Sequence, residues 1–366
     1  MAERIAVTGP LQLAVPAAAA IARALHAAGS AVDAWCSEPG ETDGHAAEFV
    51  FAEGRLGRSD LSLLEWATGR ALRWDTPSGT ATLVIAGTCT DAKLVLNAAE
   101  LPVQRDAYAR PFLAGPVRGL PTLAATPTPP MRQGGKLLVI VGAAAQLTNI
   151  YPAVLLRLAE ALDQPGNAGL APRLAFLPGA EVARSGLPAA TAGVLLPGGA
   201  SMEEVMGQLR AADEAHARNL PTLGLCLGMQ CMATAAMRRG GAPTAMLEEV
   251  SGPGAQCSFL RHPKGAAPHR LGAQVVAPQH GSLLAKLNDS TAWSVRMNHR
   301  FRLNLELLSA MQRGGLEPVA WSQDGICEAV ERAGGGFGIG VQGHPELGLA
   351  APDQALFAAF LRAVAG

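Results

Sequence analysis

A strand-like apolar run that passes directly into a helix at a cysteine constrains the fold of this chain most. Residues 221–225 are typical of a short buried strand, and residues 230–238 have the composition of a helix. Gly224 and Gly228 flank Cys226 where the chain doubles back and leaves no room for a Cβ. A cysteine on such an elbow is pushed out of the sheet towards solvent. The helix that follows points its N-terminus at the sulfur, which favours the thiolate and stabilises a nearby oxyanion.

By itself the elbow fits two interpretations, because Cys226 is either an activated nucleophile or a small buried hydrophobe, as most free cysteines are. A second stretch, residues 338–346, decides between them. A cysteine nucleophile needs a base, and the base needs an orienting group; His344 and Glu346 supply both, in the order Cys, His, Glu. His344 alone would indicate a structural or surface histidine. Together with the elbow it predicts a catalytic triad.

A third stretch, Pro197-Gly198-Gly199, follows a predicted strand at residues 192–196 and lies one helix before the nucleophile strand. A Pro-Gly-Gly sequence alone indicates only a turn. Beside the elbow, its freed amide donors and the N–H of Leu227 are predicted to form an oxyanion hole.

Strand-like and helical segments alternate along the 366 residues, which predicts an α/β protein of two domains. Each domain is expected to hold a mostly parallel sheet flanked by helices. Residues 1–125 are predicted to form the first domain and residues 136–366 the second. Residues 126–135, rich in proline and glycine and without periodicity, are the predicted linker.

The first domain opens with a predicted strand at residues 4–9, a helix at 16–28 and a strand at 31–35, a βαβ beginning. A phosphate-binding loop would require a second glycine and a lysine after Gly9, and the sequence has neither in residues 10–15. We therefore expect no P-loop for ATP and no cofactor. Binding of a nucleotide effector is left open.

Charge and cysteine usage exclude several classes of function. The net charge of −1 provides no electrostatic basis for binding nucleic acid or an anionic membrane. The six cysteines are scattered without a CxxC pair, which predicts reduced thiols, a cytoplasmic location and no metal site. The alanine-rich residues 13–28 are interrupted by Arg23 and His26 and are too short to span a bilayer.

The elbow and the Gln-x-His-Pro-Glu end together resemble the catalytic triad of class I glutamine amidotransferases. Within that family, residues 136–366 most resemble the glutaminase domain of CTP synthase. The stretches that carry this likeness are Gly224 to Gln230, His269 to Gly272, Arg296 to Asn304, His344 to Glu346 and Leu356 to Phe360.

The resemblance implies a flavodoxin-like domain in which Cys226, His344 and Glu346 hydrolyse L-glutamine through a thioester. It also implies that Gly198, Gly199 and Leu227 form the oxyanion hole. The residues that it assigns to substrate binding are Gln230 and Glu249 for the polar parts of glutamine, Arg300 for its α-carboxylate, and Phe301. The adjacent Glu248 takes the part of Glu249 if the alignment shifts by one residue.

The sequence departs from CTP synthase in two places. Ala200-Ser201 follow the Pro-Gly-Gly turn where that family usually carries Phe-Gly. The part before residue 136 is much shorter than a synthetase domain and lacks its lysine motif, so the sequence does not predict CTP synthesis.

Three hypotheses remain open at this point. The first is a glutaminase that delivers ammonia to an unidentified acceptor, held by its own first domain or by a partner synthetase, with a homo-oligomer left open. The second is a catalytically idle, CTP synthase-like binding or regulatory module, which the intact triad disfavours. The third is a hydrolase of another γ-glutamyl compound.

Overall fold

The computed structural model describes residues 5–9, 11–28, 32, 34–36, 63–64, 67, 83–85, 92–117, 135–199, 201–263, 269–289, 292–348 and 350–366. The chain divides into two compact units, residues 1–131 with 147–156 and residues 132–146 with 157–366. The predicted linker lies outside the described residues except for Gly135, and Ala200 lies outside them as well. In the described part of the chain, no helix is long and apolar enough to cross a bilayer.

The described residues of the first unit include a parallel sheet and a long helix. Its strands are β1 (Ile5–Thr8), β2 (Ala34–Cys36), β3 (Leu83–Ile85), β4 (Leu94–Asn97), β5 (Val103–Arg105) and β6 (Pro111–Leu113), and its helix is α1 (Leu11–Ala27). The first four strands pair in the order β2-β3-β1-β4, and β5 and β6 form an antiparallel pair. The residues from Ala17 to Ala22 are fully buried, because small side chains allow the helix to pack closely on its neighbours. The predicted strand–helix–strand beginning is confirmed.

The second unit is built on a nine-stranded sheet and a smaller three-stranded one. Its strands are β7 (Leu137–Val141), β8 (Arg173–Leu177), β9 (Thr191–Leu196), β10 (Thr222–Leu225), β11 (Met246–Leu247), β12 (Cys257–Arg261), β13 (Arg270–Pro278), β14 (Trp293–His299), β15 (Phe301–Leu303), β16 (Leu316–Ser322), β17 (Cys327–Arg332) and β18 (Gly338–Val341). The large sheet has the order β14-β13-β16-β17-β18-β10-β9-β7-β8, and the small one the order β11-β12-β15.

Helices connect these strands. They are α2 (Ala153–Asp163), α3 (Gly179–Ser185), α4 (Val205–Ala217), α5 (Leu227–Arg239), α6 (Glu248–Ser251), α7 (Leu283–Leu287), α8 (Leu308–Arg313) and α9 (Ala351–Ala365).

The large sheet is mixed rather than uniformly parallel. The strands β8, β7, β9, β10 and β18 run parallel to one another, whereas β17, β16, β13 and β14 continue the sheet in antiparallel pairs. The connection from β16 to β17 comprises only residues 323–326, too short for the crossover that a parallel pair needs. The α/β fold class is confirmed, with this antiparallel extension added to the predicted parallel sheet.

Three neighbouring parallel strands position the site. Strand β10 lies between β9 and β18, with Gly224 opposite both Leu196 and Gly340. The segments that leave the carboxyl ends of these strands therefore emerge side by side at one edge of the sheet. Gly228 allows α5 to cross this edge, since a Cβ there would lie 2.0 Å from the carbonyl oxygen of Leu196.

Candidate active site

Each of the three central strands delivers one predicted part of the site. Strand β10 runs into Cys226 and α5, β9 into Pro197-Gly198-Gly199, and β18 through Gln342 to His344. Strand β14, at the far edge of the large sheet, also lies next to the segments that follow these three strands. The backbone N–H of His344 donates to the carbonyl oxygen of Arg296 in β14 at 2.7 Å. The sheet therefore curls so that β14 adds its residues to the site.

Cys226 has a strained backbone at the elbow. Its φ of +48° and ψ of −103° lie in a region that side chains with a Cβ rarely adopt. The surrounding hydrogen bonds hold it there: its N–H donates to Val341 O at 2.7 Å, and its carbonyl accepts from the N–H of Gln230 at 3.1 Å. The residue remains half-buried, which leaves part of it accessible at the start of α5.

His344 and Glu346 form a fully buried pair. The Nδ1 atom of His344 lies 2.7 Å from Oε1 of Glu346, and neither side chain is exposed. A carboxylate at Nδ1 holds the proton on that nitrogen and leaves Nε2 as the basic atom of the ring. A Cβ built on Gly198 would lie 3.1 Å from Cε1 of His344 and 3.4 Å from Cβ of Cys226. The imidazole and the cysteine thus both border Gly198.

Two groups that were not predicted as site residues contact the sulfur of Cys226. The carbonyl oxygen of Asn298 lies 3.9 Å from Sγ, and Nε2 of Gln342 lies 3.7 Å from it. Gln342 is the glutamine of the Gln-x-His-Pro-Glu pattern, so its place at the carboxyl end of β18 was a usable signal. Asn298 lies within the stretch Arg296 to Asn304 that carries the family likeness, but that stretch did not indicate a contact with Cys226, because β14 and β10 are distant in the chain and meet through the curl of the sheet.

The predicted oxyanion-hole residues lie beside the elbow. Gly198 borders the cysteine and the histidine, and a Cβ on Gly199 would lie 3.7 Å from Cδ2 of Leu227. Leu227 is the first residue of α5, so its N–H has no carbonyl partner within the helix. The three positions are therefore close together, and their role in binding an oxyanion remains a prediction.

Among the predicted glutamine-binding residues, Gln230 is almost completely buried, and its Nε2 lies 3.4 Å from Oε1 of Gln342. Glu249 in α6 keeps substantial solvent exposure. Desolvation by neighbouring protein atoms raises the pKa of Glu249, and the positive charges of Arg261 and Arg300 oppose that rise. Glu249 and Arg300 are thus close enough to interact electrostatically. Glu248 is engaged elsewhere, since its Oε2 accepts from the N–H of Arg261 at 2.9 Å.

Arg300 and Phe301 differ in exposure. Arg300 is half-buried at the bend between β14 and β15. The ring of Phe301 belongs to the hydrophobic core, with Cζ of Arg261 lying 4.8 Å from its centroid. The predicted role of Phe301 in substrate binding remains a prediction.

A buried ionisable cluster lies beneath the same bend. Nε2 of His299 is 3.5 Å from Glu328, which is 3.4 Å from Arg270, and Nδ1 of His299 is 3.3 Å from Nε2 of His262. Desolvation lowers the pKa of His262 to about 4, and electrostatic interactions with His299 and Arg270, among others, act in the same direction. His262 is therefore neutral at physiological pH. The cluster anchors the end of β14, next to Asn298.

The described residues contain no group of three or more histidine, cysteine, aspartate or glutamate side chains arranged to hold a metal ion. The chemistry available at this edge is that of a thiol, an imidazole–carboxylate pair and backbone donors. This set is suited to acyl transfer through a covalent thioester.

A family model described as glutamine amidotransferase class-I matches residues 180–364. The CTP synthase of Mycolicibacterium gilvum is 33% identical over 229 residues, which cover 57% of this chain and 38% of that protein. The CTP synthase of Mycobacterium leprae is 36% identical over 169 residues, covering 42% of this chain and 28% of that protein. The matched part thus spans about a third of the length of these curated relatives.

A solved structure shows the same fold. It is the glutaminase domain of Trypanosoma brucei CTPS with bound acivicin, with a TM-score of 0.57 and 23% identity. The match covers 63% of this chain and 94% of that domain.

Proposed function

Because the chain belongs to the class I glutamine amidotransferases, we propose that it hydrolyses L-glutamine to glutamate and ammonia with Cys226 as the nucleophile. The observation that carries this proposal is the buried His344–Glu346 pair, whose ring borders Gly198 together with Cys226. In this proposal Cys226 is the nucleophile, His344 is the base, and Glu346 is the carboxylate that orients the base.

In the first half of the reaction, the Cys226 thiol transfers its proton to Nε2 of His344, and the thiolate attacks the carboxamide carbon of glutamine. The carbonyl oxygen becomes an oxyanion, which receives hydrogen bonds from Leu227 N–H and from the backbone around Gly198 and Gly199. The protonated His344 gives its proton to the nitrogen as the C–N bond breaks. Ammonia leaves, and a γ-glutamyl thioester remains on Cys226.

In the second half, His344 removes a proton from water as the water oxygen attacks the thioester carbon. The C–S bond breaks, glutamate leaves, and Cys226 recovers its proton through His344. Glu346 accepts a hydrogen bond from Nδ1 in both halves and stabilises the imidazolium whenever it forms.

We assign recognition of the amino-acid end of the substrate to Glu249 and Arg300. A guanidinium binds a carboxylate and a carboxylate binds an ammonium, so this pair suits an α-amino acid. The charge of Arg300, after that of Arg261, opposes the rise in the pKa of Glu249, which supports the assignment. Gln230 completes the set, as the family resemblance implies.

The ammonia acceptor remains unidentified, and we place it in the first unit or in a partner protein. The scattered cysteines of the sequence, which form no CxxC pair, support a reducing, cytoplasmic setting. CTP synthesis is not part of this proposal.

The test measures glutamate release from L-glutamine by the purified protein, alone and with candidate nucleotides added in turn. Cys226→Ala is expected to abolish turnover, while Cys257→Ala, which removes a buried thiol outside the proposed site, keeps it. Turnover that survives in Cys226→Ala would refute the proposed mechanism.

If no condition yields turnover, the protein is incubated with acivicin, the compound bound to the Trypanosoma brucei domain. Mass spectrometry then shows whether an adduct forms on Cys226. Labelling supports a glutaminase that awaits its partner. No labelling in addition to no turnover rejects the glutaminase and favours an idle binding module.

A further inference from the structure

The sulfur of Cys226 contacts two groups that favour opposite protonation states. The carbonyl oxygen of Asn298, at 3.9 Å, is an acceptor and favours the thiol, which can donate its proton. Nε2 of Gln342, at 3.7 Å, is a donor and favours the thiolate, which can only accept. The contact with Gln342 therefore stabilises Cys226 in the thiolate form, which is the form that attacks the substrate.

Several contacts fix the orientation of the Gln342 amide. The residue is fully buried, and its backbone N–H donates to the carbonyl oxygen of Glu328 at 2.8 Å. Its Oε1 accepts from Nε2 of Gln230 at 3.4 Å. Gln230 is held in turn, because its backbone N–H donates to the carbonyl oxygen of Cys226. With the amide oxygen engaged by Gln230, the amide NH₂ group faces the sulfur.

We propose that Gln342 is a further catalytic residue, whose side-chain amide donates a hydrogen bond to the Cys226 thiolate and so increases the ionised fraction of the nucleophile. The proposal rests on the proposed function for its role in turnover. The hydrogen bond itself exists whether or not glutamine is the substrate.

The same hydrogen bond acts at two stages of the reaction. Before attack it stabilises the charge left on sulfur when the proton moves to His344. When water breaks the thioester, the electron pair of the C–S bond returns to sulfur, and the Gln342 donor stabilises that departing thiolate. Gln230 then has a positioning role, because it orients the amide that touches the sulfur.

The experiment follows alkylation of Cys226 by iodoacetamide from pH 5 to pH 10, with peptide mass spectrometry to quantify the adduct on that residue. The rate rises with the thiolate fraction, so the midpoint of the profile reports the ionisation of Cys226. Gln342→Met removes the donor and keeps the length of the side chain. Gln342→Glu keeps the shape and the acceptor for Gln230 but places a carboxylate towards the sulfur.

Loss of one hydrogen bond to a charged group is expected to move the midpoint of Gln342→Met upward by about one pH unit, a roughly tenfold loss of thiolate at a given pH. Gln342→Glu is expected to move it further, because a carboxylate repels the thiolate. Where turnover is measurable, the acid limb of its pH profile should move with the alkylation midpoint.

Asn167→Leu is the control, since Asn167 is also a buried amide, with its Nδ2 donating to the carbonyl oxygen of Ala161 at 2.7 Å, and it belongs to no part of the proposed site. It is expected to leave the midpoint unchanged. Thermal unfolding checks that every variant is folded. If Gln342→Met does not fold, Gln342→Glu and Gln230→Met replace it, and both are expected to raise the midpoint.

Unchanged midpoints in the folded Gln342 and Gln230 variants would overturn the proposal. An unchanged midpoint in Gln342→Glu alone would show that the end of this side chain does not lie against the sulfur, which also overturns it. Because alkylation requires no glutamine turnover, an inactive glutaminase would refute the proposed function without deciding the role of Gln342.

Discussion

Replacing Asp353 by asparagine is expected to remove a pH dependence of stability that this buried carboxyl group causes. Asp353 lies in the first turn of α9 and is 1% exposed. Its Oδ1 accepts from Nε1 of Trp293 at 3.0 Å, and its Oδ2 accepts from the N–H of Ala350 at 3.1 Å. Burial raises the pKa of Asp353 from 3.8 to about 7, against the opposing effects of these hydrogen bonds and the charge of Arg157.

The magnitude follows from this pKa. A rise from 3.8 to about 7 is worth about 4 kcal/mol of unfolding free energy, at about 1.4 kcal/mol for each pH unit. The folded protein holds the proton more tightly than the unfolded chain does. The stabilisation by Asp353 is therefore complete below about pH 4 and is lost as the pH rises through about 7.

The assay is denaturant unfolding of the wild type and Asp353→Asn at intervals from pH 3 to pH 8. An uncharged asparagine replaces one acceptor by a donor and is expected to cost about 1 kcal/mol at the acidic end. The wild type loses stability progressively between about pH 4 and about pH 7, whereas the variant does not, so the free-energy difference between the two proteins should reverse sign at about pH 4.5 and reach about 3 kcal/mol in favour of the variant above about pH 7. The exposed Asp289→Asn is the control and should follow the wild type. Parallel pH profiles for the wild type and Asp353→Asn would refute the reasoning.

Two further predictions concern glycines of the site. Gly198→Ala places a Cβ 3.1 Å from Cε1 of His344. We expect the displaced imidazole to lower kcat about tenfold or more, while the unfolding free energy changes by less than about 1 kcal/mol. Wild-type turnover of this variant in steady-state assays would contradict the prediction. Gly228→Ala places a Cβ 2.0 Å from Leu196 O, so we expect a loss of about 3 kcal/mol or failure to fold. Gly254→Ala, with open space around it, is the control, and equal denaturant midpoints for these two variants would contradict the predicted clash.

The family and the fold class could be predicted from local patterns alone. The apolar run ending at Cys226 and the Gln-x-His-Pro-Glu end indicated a class I glutamine amidotransferase resembling CTP synthase. The family match over residues 180–364 and the CTP synthase relatives confirm this resemblance. The structure bears out the α/β class. These features are recognised from residues that are close together in the chain, such as the glycines two positions before and after Cys226. No distant segment is needed to recognise them.

The surroundings of the sulfur required the tertiary structure. No local pattern indicates that Asn298 lies beside Cys226, because the curl that brings β14 to the site depends on the pairing of six strands, from β14 to β10. Likewise the amide of Gln342 receives its orientation from Gln230 on another element.

The sequence by itself therefore determined the elbow, the candidate triad and the alternation of strands and helices, since each follows from residues that are near one another in the chain. Only the tertiary structure decided which strands are neighbours, that the sheet is mixed, and that Asp353 is buried against Trp293. The physical reason is that hydrogen-bonding partners and desolvation are set by segments that meet in space. Such segments are far apart in the chain, so no local sequence pattern reveals that they will be in contact.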